Sequence, residues 1–297
     1  MKKALSDVLE LLDLEQIEVN MFRGISPDDG WQRVYGGQVI GQALVAASRT
    51  VEDKNRIAHS LHGYFLRPGD TTIPIVYSVD RIRDGKSFNT RRVVAVQRGQ
   101  AIFSMSASFQ VIEDGLHHQI SMPEAASPED CPSQEDLRAA YVEEIPEEYR
   151  DNFLNRSDPI EMRFQDGMND FKPDPMPPHQ RVWIRAVDIM PEDVRLHQCV
   201  LAYASDMTLM DNAIRPHGIG WTDEKLQTAS LDHAMWFHEP FRADQWLLYY
   251  QDSPYSGGAR GFNRGSFYTQ DGRLIASATQ EGLMRLHQSS CSVELYT

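Results

Sequence analysis

The sequence predicts an α+β protein made of two copies of one unit, each with a long helix lying across one face of an antiparallel sheet. Three observations support this prediction. A pattern of strands and turns occurs in both halves, a long helix candidate precedes each copy, and a segment rich in proline and acidic residues separates them. The length of 297 residues also suits two domains of about 100–150 residues better than one.

The repeat lies in two pairs of stretches. In the first half, SLHGYFLRPGD (60–70) precedes RRVVAVQRGQAIFSMSASFQ (91–110). In the second half, SLDHAMWFHEPF (230–241) precedes NRGSFYTQDGRLIASATQEG (263–282). Each pair has Ser-Leu, a short strand with histidine and aromatic residues, a proline, and then a strand, a turn and a second strand. The common order indicates a duplicated unit.

The first unit is predicted to span residues 1–115. It begins with an amphipathic helix, in which Leu5 and Leu9 share an apolar face. A second helix is predicted in YGGQVIGQALVAASRTV (35–51), which is rich in small residues and carries no acid. The strands that follow are rich in β-branched and aromatic residues and are joined by turns that contain glycine, as in RDGKSF (83–88).

Residues 116–157 are rich in Pro, Glu, Asp and Ser, which predicts a linker with short helical pieces. The second unit, 158–286, is predicted to begin with strands at DPIEMRFQD (158–166) and RVWIRAV (181–187). Four prolines predict a loop between them, because proline cannot sit inside a sheet. A continuous helix is then predicted over 196–214, followed by strands with a TQDGRL turn. Residues 287–297 are expected to be a poorly ordered tail.

Composition excludes several classes of function. A net charge of −14 argues against a nucleic-acid-binding protein. No run of about 18 apolar residues is long enough for a membrane span. Cys131, Cys199 and Cys291 are few and widely spaced, which indicates free thiols in a reducing compartment and no cysteine metal site.

Common catalytic motifs are also missing from the sequence. It contains no G-x-S-x-G elbow, no G-x-G-x-x-G loop, no Walker A pattern and no H-E-x-x-H pair. His233 and His238 invite a metal site, but residues five apart on a strand point to opposite faces. The sequence therefore predicts no metal site at this pair and no glycine-rich nucleotide-binding loop.

Asp206 is the residue that the helix pattern leaves unexplained. On the predicted helix it lies about 70° from the centre of the apolar stripe, where an unpaired charge would be costly. Taken alone, Asp206 could be solvated or could cap a turn. In the same way, Ser230 could be a strand hydroxyl bonded to backbone, and Gln280 an amide at the edge of the sheet.

Motifs in both halves resemble the acyl-CoA thioesterase II family, from about Leu5 to Arg285. These motifs are GGQVIGQAL (36–44), HSLHGYFLRPGD (59–70), DGKSFNTRRV (84–93), ASLDHAMWFH (229–238), GARGFNRGSFYTQDG (258–272) and ATQEGLMR (278–285). The resemblance implies a double hotdog fold, in which each half wraps an antiparallel sheet around one long helix. It also implies hydrolysis of fatty acyl-CoA thioesters without a metal, a cofactor or a covalent serine intermediate.

The resemblance further implies a catalytic trio of Asp206, Ser230 and Gln280. Ser230 stands where the family commonly has threonine, so the side chain lacks the methyl group that restricts its rotamer. Only Asp206 of the three can accept a proton near neutral pH. We therefore interpret Asp206 as the general base, with Ser230 and Gln280 holding the attacking water in line with the thioester carbonyl.

Two other functions stay open at this point. A hotdog-fold hydratase or dehydratase would need a histidine acting with a carboxylate on the carbons next to the thioester. A non-catalytic acyl-CoA-binding protein would keep the acyl pocket without needing the trio.

Other polar residues and the cellular context complete the expectations. His59 and His62 are expected to satisfy core or loop hydrogen bonds. A basic cluster could meet the CoA phosphates or face water; its members are Arg67, Lys86, Arg91 and Arg92. We expect acyl-CoA as the substrate, no nucleic-acid partner and a homo-oligomer (dimer or tetramer). We expect the protein in the cytoplasm, because the chain ends LYT and not with a peroxisomal Ser-Lys-Leu type signal.

Overall fold

The fold is described from a computed structural model, which covers residues 1–27, 33–145, 147, 150, 154, 158–168, 173–221 and 223–287. The first half has two helices and six strands. In chain order they are α1 (Lys3–Leu12), β1 (Glu15–Glu18), β2 (Met21–Gly24), α2 (Gly36–Arg49), β3 (Arg56–Phe65), β4 (Ile75–Asp84), β5 (Phe88–Gln97) and β6 (Gln100–Val111). Helices α1 and α2, strands β3, β5 and β6, and the turn between β4 and β5 lie where the sequence predicts them, whereas β1 and β2 were not predicted.

The linker segment contains short helical pieces, as predicted. They are a 3₁₀ turn at Pro128–Asp130, α3 (Gln134–Ala140) and a second 3₁₀ turn at Val142–Glu144. A capping box begins α3, because Ser133 accepts from the N–H of Asp136 while the Asp136 side chain accepts from the N–H of Ser133.

The second half repeats the plan of the first. Its elements are β7 (Ile160–Phe164), β8 (His179–Ala186), α4 (Val194–Ala204), α5 (Asp211–Ile214), a 3₁₀ turn at Arg215–His217, β9 (Leu226–Ser230), β10 (Asp232–Phe237), β11 (Leu247–Gly257), β12 (Arg260–Thr269) and β13 (Leu274–Leu286). In the part of the chain that the structure describes, no helix is long and apolar enough to cross a membrane. The predicted unit boundaries after 115, 157 and 286 remain predictions, and the tail at 288–297, with Cys291, lies outside the described residues.

All thirteen described strands join one antiparallel sheet, whose order shows the internal repeat. The order is β1-β2-β4-β5-β6-β3-β10-β13-β12-β11-β8-β7, with β9 paired to the far end of β13. Read from the centre outwards, β3-β6-β5-β4-β2 has the same chain connectivity as β10-β13-β12-β11-β8. The central pair β3 and β10 is antiparallel, with Ser60 opposite Trp236. This strand order agrees with the duplication that the sequence predicts.

The two long helices pack antiparallel against each other inside the curved sheet. The start of α2 meets the end of α4, because a Cβ on Gly37 would overlap the carbonyl of Tyr203. Further along, a Cβ on Gly41 would lie 3.3 Å from the carbonyl of Cys199. Small residues on α2 thus permit close backbone approach, and the helix is buried from Gly37 to Ser48. This is the double hotdog architecture, and the predicted fold class is confirmed.

The helix predicted over 196–214 is wrong in one respect. Helix α4 ends at Ala204, a turn follows, and a separate short helix starts at Asp211. Asp206 therefore lies in the turn after α4 and not on a helical stripe. The break follows from tertiary contacts at Thr208, which are described with the site.

Candidate functional site

All three residues of the predicted trio line one cavity of about 490 Å³ between the two halves. The first half contributes an apolar wall, which includes Val39, Phe65 and Phe103. The second half contributes Asp206, Ser230, Gln280 and nearby residues of the turn after α4. The cavity therefore combines an apolar surface with a small polar group of side chains, as small-molecule sites commonly do.

Asp206 and Gln280 are in direct contact within this cavity. The side-chain Nε2 of Gln280 donates to Oδ1 of Asp206 at 2.6 Å. A second donor comes from the other half of the chain, because the backbone N–H of Gly37 also bonds the Asp206 carboxylate. Gly37 is the second residue of α2, so the carboxylate lies at the positive end of that helix dipole.

The protonation of Asp206 reflects two opposing effects. Its side chain is only 7% exposed, and burial raises the pKa of the carboxyl because it disfavours the charged form. The hydrogen bonds from Gln280 and Gly37 lower the pKa, but burial is the larger effect and the pKa lies above the ordinary value. A buried carboxylate with a raised pKa is a stronger base than a surface aspartate.

Ser230 reaches the cavity through a break between two strands. It is the last residue of β9, opposite Gly282 of β13, and β10 begins two residues later at Asp232. The Asp232 side chain holds this break by accepting from the N–H of Glu281 at 2.7 Å. Ser230 and Gln280 line the same cavity.

Gln280 lies on the buried face of β13 with Ala276, Ala278 and Gly282, as the sequence predicts. Small residues on this face leave space beside Gln280, and at Gly282 a protein side chain fills that space. A Cβ at this position would overlap the side chain of Met210. The space beside Gly282 therefore admits Met210, which packs the turn after α4 against β13.

Sequence reasoning missed a group of buried amides that holds this turn. Gln251 Nε2 donates to the Thr208 hydroxyl at 2.7 Å, while its Oε1 accepts from Gln180 and Asn212. Thr208 has a φ of 98°, which is rare for a β-branched residue and costs roughly 1–3 kcal/mol. The amides offset this strain and keep the backbone out of the helix. Glutamines inside the apolar strands β8 and β11 are the sequence signal that could have revealed them.

His233 is a second missed neighbour of Asp206. It is fully buried on β10, and its Nδ1 lies 4.0 Å from Asp206 Oδ1. His238, the other histidine considered for a metal, instead contacts the Ser277 hydroxyl at 2.9 Å. Among the described residues, no group of three or more His, Cys, Asp or Glu side chains is arranged to hold a metal ion.

The remaining polar candidates have different surroundings. His59 contacts the Ser108 hydroxyl at 2.8 Å, and His62 packs edge-on against Trp236. Arg91 is buried and bonded to Thr50 and Asp84. Arg91 is therefore a structural residue and not a ligand for CoA phosphates. Arg67 differs, since it lines the cavity.

Comparisons with known proteins cover both halves of the chain. A family model described as acyl-CoA thioesterase matches residues 151–283, and one described as acyl-CoA thioesterase N-terminal domain matches 27–110. The chain is 38% identical to acyl-CoA thioesterase 2 of Haemophilus influenzae, over 97% of this chain and 100% of that protein. It is 41% identical to acyl-coenzyme A thioesterase 8 of Mus musculus, over 94% of this chain and 89% of that protein.

Solved structures agree with these matches. The crystal structure of the acyl-CoA thioesterase II TesB2 from Mycobacterium marinum superposes with a TM-score of 0.75 at 45% identity, over 95% of this chain and 99% of that one. A hot dog fold protein of unknown function from Alicyclobacillus acidocaldarius superposes equally well, with a TM-score of 0.75 at 17% identity. It covers 97% of this chain and 100% of that one. At that identity the second likeness concerns the fold alone.

Proposed function

This chain belongs to the acyl-CoA thioesterase II family, and we propose that it hydrolyses fatty acyl-CoA thioesters to free fatty acid and CoA with Asp206 as the general base. The observation that carries the proposal is the carboxylate of Asp206, bonded to Gln280 and to the Gly37 N–H in a cavity with an apolar wall. A base that is buried and held by two donors has a defined orientation, which general-base catalysis requires.

The chemistry proceeds in two steps. A water molecule oriented by Ser230 and Gln280 attacks the thioester carbonyl carbon, forming a C–O bond while its proton passes to the Asp206 carboxylate. The tetrahedral intermediate then collapses, the C–S bond breaks, and the proton on Asp206 passes to the CoA thiolate. Negative charge that develops on the carbonyl oxygen is favoured near the positive end of α2.

The walls of the cavity suit the two ends of an acyl-CoA. We assign the acyl chain to the apolar surface made by Val39, Phe65 and Phe103. Arg33 and Arg67 line the same cavity and are the basic groups assigned to the CoA phosphates. Local basic residues are needed for this purpose because the protein as a whole is strongly acidic.

We further propose one active site per chain, formed with residues of the second half. In the repeat, Ala107 occupies the position of Gln280, and it is buried in β6. The end of α2, which corresponds to the end of α4, carries Arg49 bonded to Asp13. The first copy therefore lacks the base and the amide, and its contribution is the α2 terminus and the apolar wall.

Hydration of an enoyl-CoA is disfavoured by the position of His233. This histidine lies beside Asp206 but is fully buried and does not line the cavity, so it cannot reach the carbons next to a bound thioester. A hydratase needs both groups to face the substrate. Measuring CoA thiol release against enoyl-CoA hydration on the same preparation separates the two reactions.

The decisive experiment compares wild type with Asp206→Asn in steady-state thiol release from acyl-CoAs of graded chain length. We expect kcat to fall by about 10²–10⁴-fold, the usual cost of losing a general base, with little change in KM. Asp211→Asn is the matched control, because Asp211 lines the same cavity, and should keep near wild-type kcat. If Asp206→Asn raised KM while kcat held, Asp206 would be a binding residue; if wild type bound acyl-CoA without turnover, the chain would be a binding protein.

We also propose that the protein is a cytoplasmic homo-oligomer, dimer or tetramer, with no nucleic-acid partner. Support for assembly comes from the edge of the sheet at β1 and β2, where Ile17, Val19 and Met21 are exposed. Exposed apolar residues on an edge strand favour association with a second copy. Sedimentation of the purified protein measures its oligomeric state, and a monomer at micromolar concentration would contradict the proposal.

A further inference from the structure

The hydrogen bonds of Ser205 determine the tautomer of His233. The Ser205 hydroxyl lies 2.9 Å from the carbonyl of Ala202 and 2.9 Å from Nε2 of His233. A hydroxyl has a single hydrogen, and the carbonyl can only accept. Ser205 therefore donates to Ala202 and accepts from His233, which places the imidazole hydrogen on Nε2 and leaves a lone pair on Nδ1.

That lone pair faces Asp206. His233 Nδ1 is buried without a hydrogen-bond partner among the described residues and lies 4.0 Å from Asp206 Oδ1. Two acceptors thus face each other, and Nδ1 is fully buried, an arrangement that is costly while the carboxyl is ionised. A proton on the carboxyl would reverse the interaction, because the new O–H group could donate to Nδ1 after a small approach.

We propose that His233 is a positioning residue that accepts a hydrogen bond from Asp206 when its carboxyl takes the proton of the attacking water. The inference rests on the proposed function, since it assumes that Asp206 is the base. It adds a reason for Asp206 to be basic: His233 stabilises the protonated form and disfavours the ionised one. The imidazole does not change its own protonation state in this step.

The charge state of His233 agrees with an acceptor role. Burial lowers the pKa of its imidazole to about 3, so the ring is neutral throughout the working range of pH. Two other titratable groups belong to this region: Tyr249 on β11, which the Asp206 charge affects, and Asp211 on α5, which lines the cavity with Asp206. Tyr249 donates to the carbonyl of Ser205 at 2.8 Å, and burial raises its pKa well above the ordinary value, so it also stays neutral.

The test compares two replacements of similar shape. His233→Leu removes the acceptor, whereas His233→Asn keeps an acceptor oxygen near the position of Nδ1. We expect the Leu variant to lose about 10-fold in kcat, the value of one hydrogen bond, with KM unchanged. The midpoint of the acidic limb of its kcat–pH profile should move down by up to about one unit, because Asp206 becomes less basic. The Asn variant should keep the limb and most of the activity.

Two further variants sharpen the result. Ser205→Ala should also lower the midpoint, because the freed ring could then carry its hydrogen on Nδ1 and donate to Asp206. His238→Leu is the matched control. His238 directly follows β10 and contacts a serine hydroxyl at the same 2.9 Å distance, but it does not border Asp206. It should leave both kcat and the acidic limb at their wild-type values.

A measurement on the unaltered protein tests the tautomer itself. Nitrogen-detected chemical shifts of ¹⁵N-histidine-labelled protein at neutral pH, with His233→Leu for assignment, should show the hydrogen of His233 on Nε2. A hydrogen on Nδ1, or a His233→Leu profile with wild-type kcat and acidic limb, would overturn the role of His233. Either result leaves the proposed function intact if Asp206→Asn still abolishes turnover, whereas an active Asp206→Asn enzyme refutes the base assignment itself.

Discussion

The backbone N–H of Gly37, near the start of the first long helix, bonds the carboxylate of Asp206, which follows the second long helix. The bond joins residues that are far apart in the chain and lie in different copies of the repeat. The candidate base is thus held by a helix terminus from one half and an amide from the other. The proposed site is therefore composite, with groups from both copies of the repeat.

The pH dependence of turnover follows from the environment of Asp206. The base must be ionised, and burial raises its pKa above the ordinary aspartate value, so kcat should fall on acidification with a midpoint above that value. His233 should add no limb near pH 6.5, because its pKa is lowered to about 3. The kcat–pH profile measures this. Asp211→Asn should show the same limb, and a limb that vanished in that variant would assign the titration to Asp211.

Gly36→Ala should damage catalysis more than stability. A Cβ at this position would lie 2.6 Å from Asp206 Oδ2 and 3.0 Å from the Phe65 ring, so the carboxylate has to move. Alanine favours a helix over glycine, and the protein should remain folded. We expect at least about a 10-fold loss of kcat in thiol release, since small displacements of a catalytic group are costly. Gly115→Ala, at a position where a Cβ would meet nothing within 4 Å, should keep near wild-type activity.

Gln280→Ala should lower kcat by roughly 10²-fold, the typical cost of removing one preorganised donor. The change removes the 2.6 Å hydrogen bond that orients Asp206, while the CoA contacts are left in place. KM should therefore move little in steady-state thiol release. Gln270→Ala, an exposed position in the β12–β13 turn, is the control. Equal losses in both variants would point to general destabilisation and not to the site.

Ser230 offers a paired test of its hydroxyl. Ser230→Thr should be tolerated, because it keeps the hydroxyl and restricts the rotamer. Ser230→Ala should lower kcat, because one hydrogen-bonding group around the attacking water is lost. Thiol release by the two variants at saturating acyl-CoA makes the comparison. An alanine variant as active as the threonine variant would remove Ser230 from the mechanism.

Gln251→Met should lower the free energy of unfolding. The two side chains have similar volumes, so the change removes the amide group without leaving a large cavity. Thr208 Oγ1 and the amide groups of Gln180 and Asn212 lose a buried partner, which costs about 1–3 kcal/mol. Urea unfolding monitored by circular dichroism measures the loss. Gln100→Met, an exposed position, should change the free energy of unfolding by less than about 0.5 kcal/mol. Since the turn also carries Asp206, kcat should fall with stability in the Gln251 variant.

Much of the fold follows from the sequence alone because its signals are local or periodic. The small-residue helix α2, the alternating strand at β7 and the hairpin turns each depend on neighbours within a few positions. The ordered recurrence of such stretches indicated two related units, and the sheet order agrees with it. The resemblance to the family predicts that Asp206, Ser230 and Gln280 form one catalytic trio. In the structure all three residues line one cavity.

Only the tertiary structure decided where α4 ends and what surrounds Asp206. Apolar residues continue at helical spacing through Met207, Met210 and Ile214, so the pattern predicts one helix. In the structure, buried amides from β8 and β11 hold Thr208 in a non-helical conformation. The Gly37 donor and the Nδ1 of His233 reach Asp206 from elements that are distant in the chain. Such contacts depend on how the helices and the sheet pack together, and residue spacing carries no information about them.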